Sequence, residues 1–213
     1  MAISIKKSFA SCESCALLPC QSCIAETNSA SDLSKVEVVF VAENPGSKEI
    51  ELQTPLIGPA GRVFRHYFDL YFVNYFRYLL TNTVLCQTLK PDGTTGNPSW
   101  YVIENCRANC FHIIRQCSPA LIVVMGASAM RAFDIARTGI TSMRGQLYEW
   151  EGYKVLLTVH PSYVLRTGEY EEFGKDLKKA RDILAAELMH VQPATVQGQA
   201  WKTLLKQFTV ELE

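Results

Sequence analysis

Several side chains in this sequence are placed to act together. The apolar run Leu156-Leu157-Thr158-Val159 ends in His160-Pro161-Ser162 and continues as Tyr163-Val164-Leu165-Arg166. Proline has no N–H for a strand ladder and fixes φ, so the chain must leave a sheet just after His160. A buried strand thus delivers an imidazole to the carboxyl edge, where open α/β sheets bind their ligands. Asn82 interrupts a second strand-like run, Leu79 to Leu85, and Glu43-Asn44-Pro45-Gly46 follows a first, Val36 to Ala42. In a parallel sheet these ends converge, so a carboxylate, an amide and an imidazole share one cleft. An Asn amide offers a donor and an acceptor side by side, which suits the edge of a planar ring. An imidazole can stabilise negative charge growing on a carbonyl oxygen, and Glu43 or Glu49 can position water or face a developing cation. Each residue also has a bland reading: a histidine closing a core strand, an asparagine satisfying a loop backbone.

The eight cysteines form a second constellation. Cys12-x-x-Cys15 and Cys20-x-x-Cys23 lie in a polar N-terminal segment, Cys86 closes the Asn82 run, and Cys106, Cys110 and Cys117 share a helical stretch. Met1 to Ala10 lacks the apolar core of a secretory signal, so a cytoplasmic, reducing setting is expected. There, thiols serve metal sites or core packing rather than disulfides. Thiolates of this kind are metal ligands, and the cysteines alone leave the metal open.

The elements that must position these groups alternate. After the first strand, Pro59-Ala60-Gly61 opens a helix to about Phe76, and Ser99 is a plausible N-cap for one ending near Cys117. Leu121 to Met125 is a buried strand with a helix after Gly126. Leu147 to Trp150 and Tyr153 to Val159 flank the turn Glu151-Gly152, and a helix follows from about Tyr170 to His190. This pattern predicts an α/β fold, a three-layer αβα domain with a central, mainly parallel four-stranded sheet over residues 1–192. An amphipathic extension, 193–213, lies beyond Pro193. At 213 residues, 48% hydrophobic and 20% charged, the chain is ordinary for one globular domain, and no apolar run approaches the ~20 residues of a membrane span. Net charge is zero, so any nucleic-acid site must be a local basic patch.

Taken in order, the motifs resemble family 4 uracil-DNA glycosylases, the iron–sulfur branch of that superfamily. The resemblance rests on Ala42-Glu43-Asn44-Pro45-Gly46 with Pro55-Leu56-Ile57-Gly58-Pro59-Ala60-Gly61, on Thr81-Asn82-Thr83-Val84-Leu85-Cys86, on Gly126 and Met143-Arg144-Gly145, and on His160 to Arg166. It implies base flipping, in which the target nucleotide is turned out of the duplex into a pocket. Asn82 would read the base, with Pro45, Gly46, Leu56 and Ser162 around it. His160 would face O2, and Glu43, with Glu49 possible, the sugar and water. Arg144, Arg166 and one of Val164 or Leu165 would meet DNA. By the same resemblance Cys12, Cys15, Cys86 and Cys106 would hold a structural [4Fe–4S] cluster, with Cys20 and Cys23 the alternative first pair. The implied protein is a monomeric, monofunctional enzyme acting on uracil or a modified pyrimidine. The family usually has Phe where Leu56 stands, which opens two other readings: a glycosylase for bulky modified cytosine in phage DNA, serving antiviral defence, or a DNA-binding relative without catalysis.

Overall fold

The computed structural model describes residues 2–3, 10–13, 15–135 and 137–191, so the extension 193–213 lies outside the described residues. Its elements, in chain order, are β1 (Ala2–Ile3), α1 (Ala10–Glu13), β2 (Ala25–Thr27), β3 (Val38–Ala42), α2 (Ser47–Leu52), α3 (Pro59–Tyr71), β4 (Tyr78–Asn82) and α4 (Trp100–Cys117). There follow β5 (Leu121–Met125), α5 (Ala127–Ala132), α6 (Ile140–Met143), β6 (Leu147–Trp150), β7 (Tyr153–Thr158), α7 (Pro161–Thr167) and α8 (Tyr170–Val191).

Among the described residues, the sheet has seven strands in the order β1-β2-β4-β3-β5-β7-β6. The expected four parallel strands are its centre, β4-β3-β5-β7. Antiparallel strands extend both edges: β2 and then β1 beside β4, and β6 beside β7. The three-layer expectation holds, but the strand number must be corrected from four to seven. The missed strands β1 and β2 have only two or three residues, too short to show a period.

β3, β4 and β5 are buried at every position, as strands covered on both faces must be. One face carries α3, α7 and α8, where Phe40 meets Phe64, Phe68 and Phe72 edge to face at 4.9–5.5 Å between centroids. The other carries α4 and α5, packed through Ile113, Ile114, Met130 and Phe133. The chain leaves β3 for β4 on one side and returns across to β5 on the other. This places a switch in winding direction at the carboxyl end of β3, where a crevice opens.

Candidate active site

A cavity of about 460 Å³ occupies that crevice, and Asn82, His160, Glu43 and Leu56 all line it. The four reach it from different elements. Asn82 is the last residue of β4, which stops there rather than running on to Leu85. Glu43 follows β3 directly, and His160 caps α7 two residues beyond β7, with Pro161 in the first helical turn.

Asn82 is 2% exposed, and its Nδ2 has no hydrogen-bond partner among the described residues. A buried, unpaired amide N–H costs about 1–3 kcal/mol, and its position against a cavity reserves it for an acceptor on a ligand.

His160 Nδ1 accepts from the backbone N–H of Ser162 at 3.2 Å and lies 2.8 Å from Ser162 Oγ. An amide N–H can only donate, so Nδ1 keeps its lone pair and the neutral ring carries its proton on Nε2. Burial first, and then the Arg166 guanidinium, hold the imidazole neutral down to about 4, against an opposing pull from Glu49. Gly126, at φ +96°, makes room for this ring, because a Cβ there would lie 2.9 Å from His160 Cβ.

Glu43 is pushed above its ordinary value by burial, partly offset by the hydrogen bond from Ser128 and by Arg166. Ser128 Oγ donates to its Oε1 at 2.8 Å. Ser128 was not foreseen from sequence, since one hydroxyl early in a short helix carries no pattern of its own. The turn from β5 into α5 thus serves both groups, Gly126 beside His160 and Ser128 on Glu43.

Glu49 also borders the cavity, but its oxygens accept from the backbone N–H groups of Gly46 (3.2 Å), Ile57 (2.9 Å) and Gly58 (2.7 Å). It ties two loops of the rim together, so the catalytic reading of Glu49 gives way to a positioning one. Leu56 forms the wall at φ +54°. Arg65 on α3 donates to the carbonyls of Leu56 (3.2 Å) and Pro55 (2.7 Å) while paired with Glu26. Gly61 packs against the Leu56 backbone, where a Cβ would fall 2.1 Å from its carbonyl carbon. Sequence reading missed this clamp because Glu26, Leu56 and Arg65 carry no shared period.

Gly46, Ser162 and Arg166 line the cavity, whereas Pro45 is buried beneath the loop and is not among the lining residues. Two further expectations are corrected. Val164 is fully buried against the aromatic face of the core and cannot enter a base stack, while the adjacent Leu165 is 41% exposed. Arg144, just after α6, is only 14% exposed and pairs with Glu169 (2.7 Å) and Asp176 (2.9 Å), tying that turn to the start of α8.

The cysteines separate into two groups. Asn109 Nδ2 lies 3.6 Å from Cys12 Sγ and 3.9 Å from Cys106 Sγ, the Leu85 N–H donates to Cys106 Sγ at 3.4 Å, and Cys15 stands near enough to Cys106 to affect its charge. Cys86 lies one residue beyond Leu85, with Cys20 Sγ 2.7 Å from its sulfur. Thiolates backed by N–H donors are the setting an iron–sulfur cluster uses. Among the described residues, no three His, Cys, Asp or Glu side chains share a single-ion position. Four thiols, two of them with N–H donors beside them, have the donor chemistry such a cluster takes. Cys23, of the alternative first pair, is buried, and its thiol is raised to about 12 by that burial and by Glu49 and Glu26. Cys110 and Cys117 are fully buried in the core.

An open αβα sheet with an amide, an imidazole and a carboxylate around one crevice defines an α/β protein with a pocket suited to a planar polar ring. Residues 30–185 match the family model described as the uracil DNA glycosylase superfamily. A type-4 uracil-DNA glycosylase of Thermotoga maritima is 31% identical over 159 residues, 70% of this chain and 79% of that protein. Another, of Archaeoglobus fulgidus, is 28% identical over 158 residues, 70% of this chain and 77% of its own length. A DNA polymerase of Bacillus phage SP01 is 27% identical over 172 residues, 76% of this chain but 17% of the polymerase. The chain belongs to the uracil-DNA glycosylase superfamily and, within it, to the type-4 branch.

Proposed function

We propose that the protein is a monofunctional DNA glycosylase that hydrolyses the N-glycosidic bond of deoxyuridine in DNA and leaves an abasic site. The observation that carries this reading is that Asn82, whose buried Nδ2 has no partner among the described residues, lines the same cavity as His160. A uracil flipped into the cavity offers O4 to Asn82 Nδ2 and its N3–H to the amide oxygen, and cytosine presents the opposite pattern. The proton on His160 Nε2 points at O2, where charge collects as the C1′–N1 bond breaks. A neutral donor stabilises that anion without first surrendering its proton. Glu43, ionised, stabilises the cationic sugar and orients the water that attacks C1′. The water proton passes to the carboxylate, and the departing uracil anion takes up a proton from solvent.

Ser162, Leu165 and Arg166 on α7 face the DNA, Arg166 toward phosphate and Leu165 toward the space the base vacates. Cys12, Cys15, Cys86 and Cys106 would hold a [4Fe–4S] cluster that cross-links the N-terminal segment to the end of β4 and to α4. Leu56 alone motivates the modified-cytosine and non-catalytic readings, and the relatives named for uracil make neither necessary. The test uses an oligonucleotide with one deoxyuridine, incubated with the protein and then cleaved with alkali at abasic sites. Strand scission with the wild type, abolished in Asn82→Ala and His160→Ala, is the expected result. An intact strand with the iron-loaded wild type would overturn the assignment.

A further inference from the structure

We propose that Cys20 and Cys86 share one ligand position of the cluster, so that either thiolate can occupy it. This rests on the cluster reading above and extends it to a thiol outside the four expected ligands. The Cys20 and Cys86 sulfurs lie 2.7 Å apart, closer than two independent thiols settle. The backbone explains why. The Cys23 N–H donates to the Leu85 carbonyl at 3.0 Å and the Gln87 N–H to the Gln21 carbonyl at 2.9 Å, with Ser22 bridged to Cys86. These bonds lay residues 21–23 alongside residues 85–87 and bring Cys20 onto the spot that Cys86 holds.

The other ligand candidates have separate settings, Cys12 and Cys106 around Asn109 and Cys106 against the Leu85 N–H. Of the cysteines outside the expected four, Cys23 is buried towards Glu49 and Glu26, and Cys110 and Cys117 lie in the core. Of these, Cys20 is the one whose sulfur meets that of an expected ligand. One iron corner takes one thiolate, so two thiols at one corner compete for it. Exchange needs no oxidant: the incoming thiol gives up a proton and the released thiolate takes one up.

The test compares the full-length wild type with Cys20→Ser, Cys86→Ser, the double variant and Cys106→Ser, all purified without oxygen. Iron and acid-labile sulfide per chain and the visible absorption band are the readouts, with circular dichroism to verify folding. Both single variants of the pair should retain the wild-type iron, whereas the double variant and Cys106→Ser should lose it. Alkylation of the native, iron-loaded wild type should label one thiol of the pair in each chain, distributed between Cys20 and Cys86. Loss of iron in Cys86→Ser equal to that in the double variant, or labelling confined to Cys20, overturns the sharing and leaves the cluster standing. A wild type without iron and sulfide overturns both.

Discussion

At Asn82 the amide N–H is buried without a partner, so substitution there separates recognition from stability. Asn82→Ala should lower kcat/KM on deoxyuridine DNA by roughly 100-fold or more, the ~3 kcal/mol scale of a donor used in the transition state. Its melting temperature should hold or rise, because removing an unsatisfied buried group relieves a cost. Glu43 governs the acid side of catalysis. Its carboxyl is raised by burial, and the ionised form is the active one, so activity falls as pH drops through a value above the usual glutamate range. Ser128→Ala removes a bond that favours the carboxylate and should move this limb to higher pH, read from kcat/KM against pH. His160 has a stability signature as well. Its folded value of about 4 lies below the 6.5 of a free imidazole, so between those values the unfolded chain binds the proton first. The contribution of His160 to stability is therefore complete above about 6.5 and falls away toward 4. His160→Gln should lack this slope in chemical denaturation measured across that window.

Among the elements, the central strands and the helices after Ser99 and Gly126 were legible in the sequence. Their signals are continuous apolar runs, an N-cap hydroxyl and a glycine. Asn82 and His160 were legible as strand-end residues because a polar group at the end of an apolar run interrupts it. The Glu26–Arg65 clamp on Leu56 was hidden, since it joins β2 to α3 through a loop carbonyl and depends on tertiary contact alone. Val164 and Leu165 were interchangeable in sequence, and only the orientation of α7 on the core separates them. The clamp also yields a test: Gly61→Ala should destabilise the fold by about 1–3 kcal/mol, since its Cβ must displace the Leu56 backbone. Thermal unfolding measures this loss, and a KM that rises along with it would show the wall moving with the helix.

Over the whole molecule, the formal charge is zero, so attraction to DNA depends on a few cations near the cavity, Arg166 and Lys48 among them. Each neutralised phosphate adds about 0.9 to the slope of log affinity against log salt on a duplex. A shallow slope is therefore expected, reduced by about one unit in Arg166→Gln, when binding to uncleavable DNA is titrated at several ionic strengths.

Asn82 and Cys86 belong to one short stretch that leaves β4, and β2 is zipped onto the same strand at Leu79 to Thr81. With Cys86 or its neighbour anchored to iron, the thiolate end of that stretch becomes a fixed post from which the base-reading amide hangs. On the cluster reading, removing the iron would loosen that stretch, so activity per chain would follow iron content and not the amount of protein.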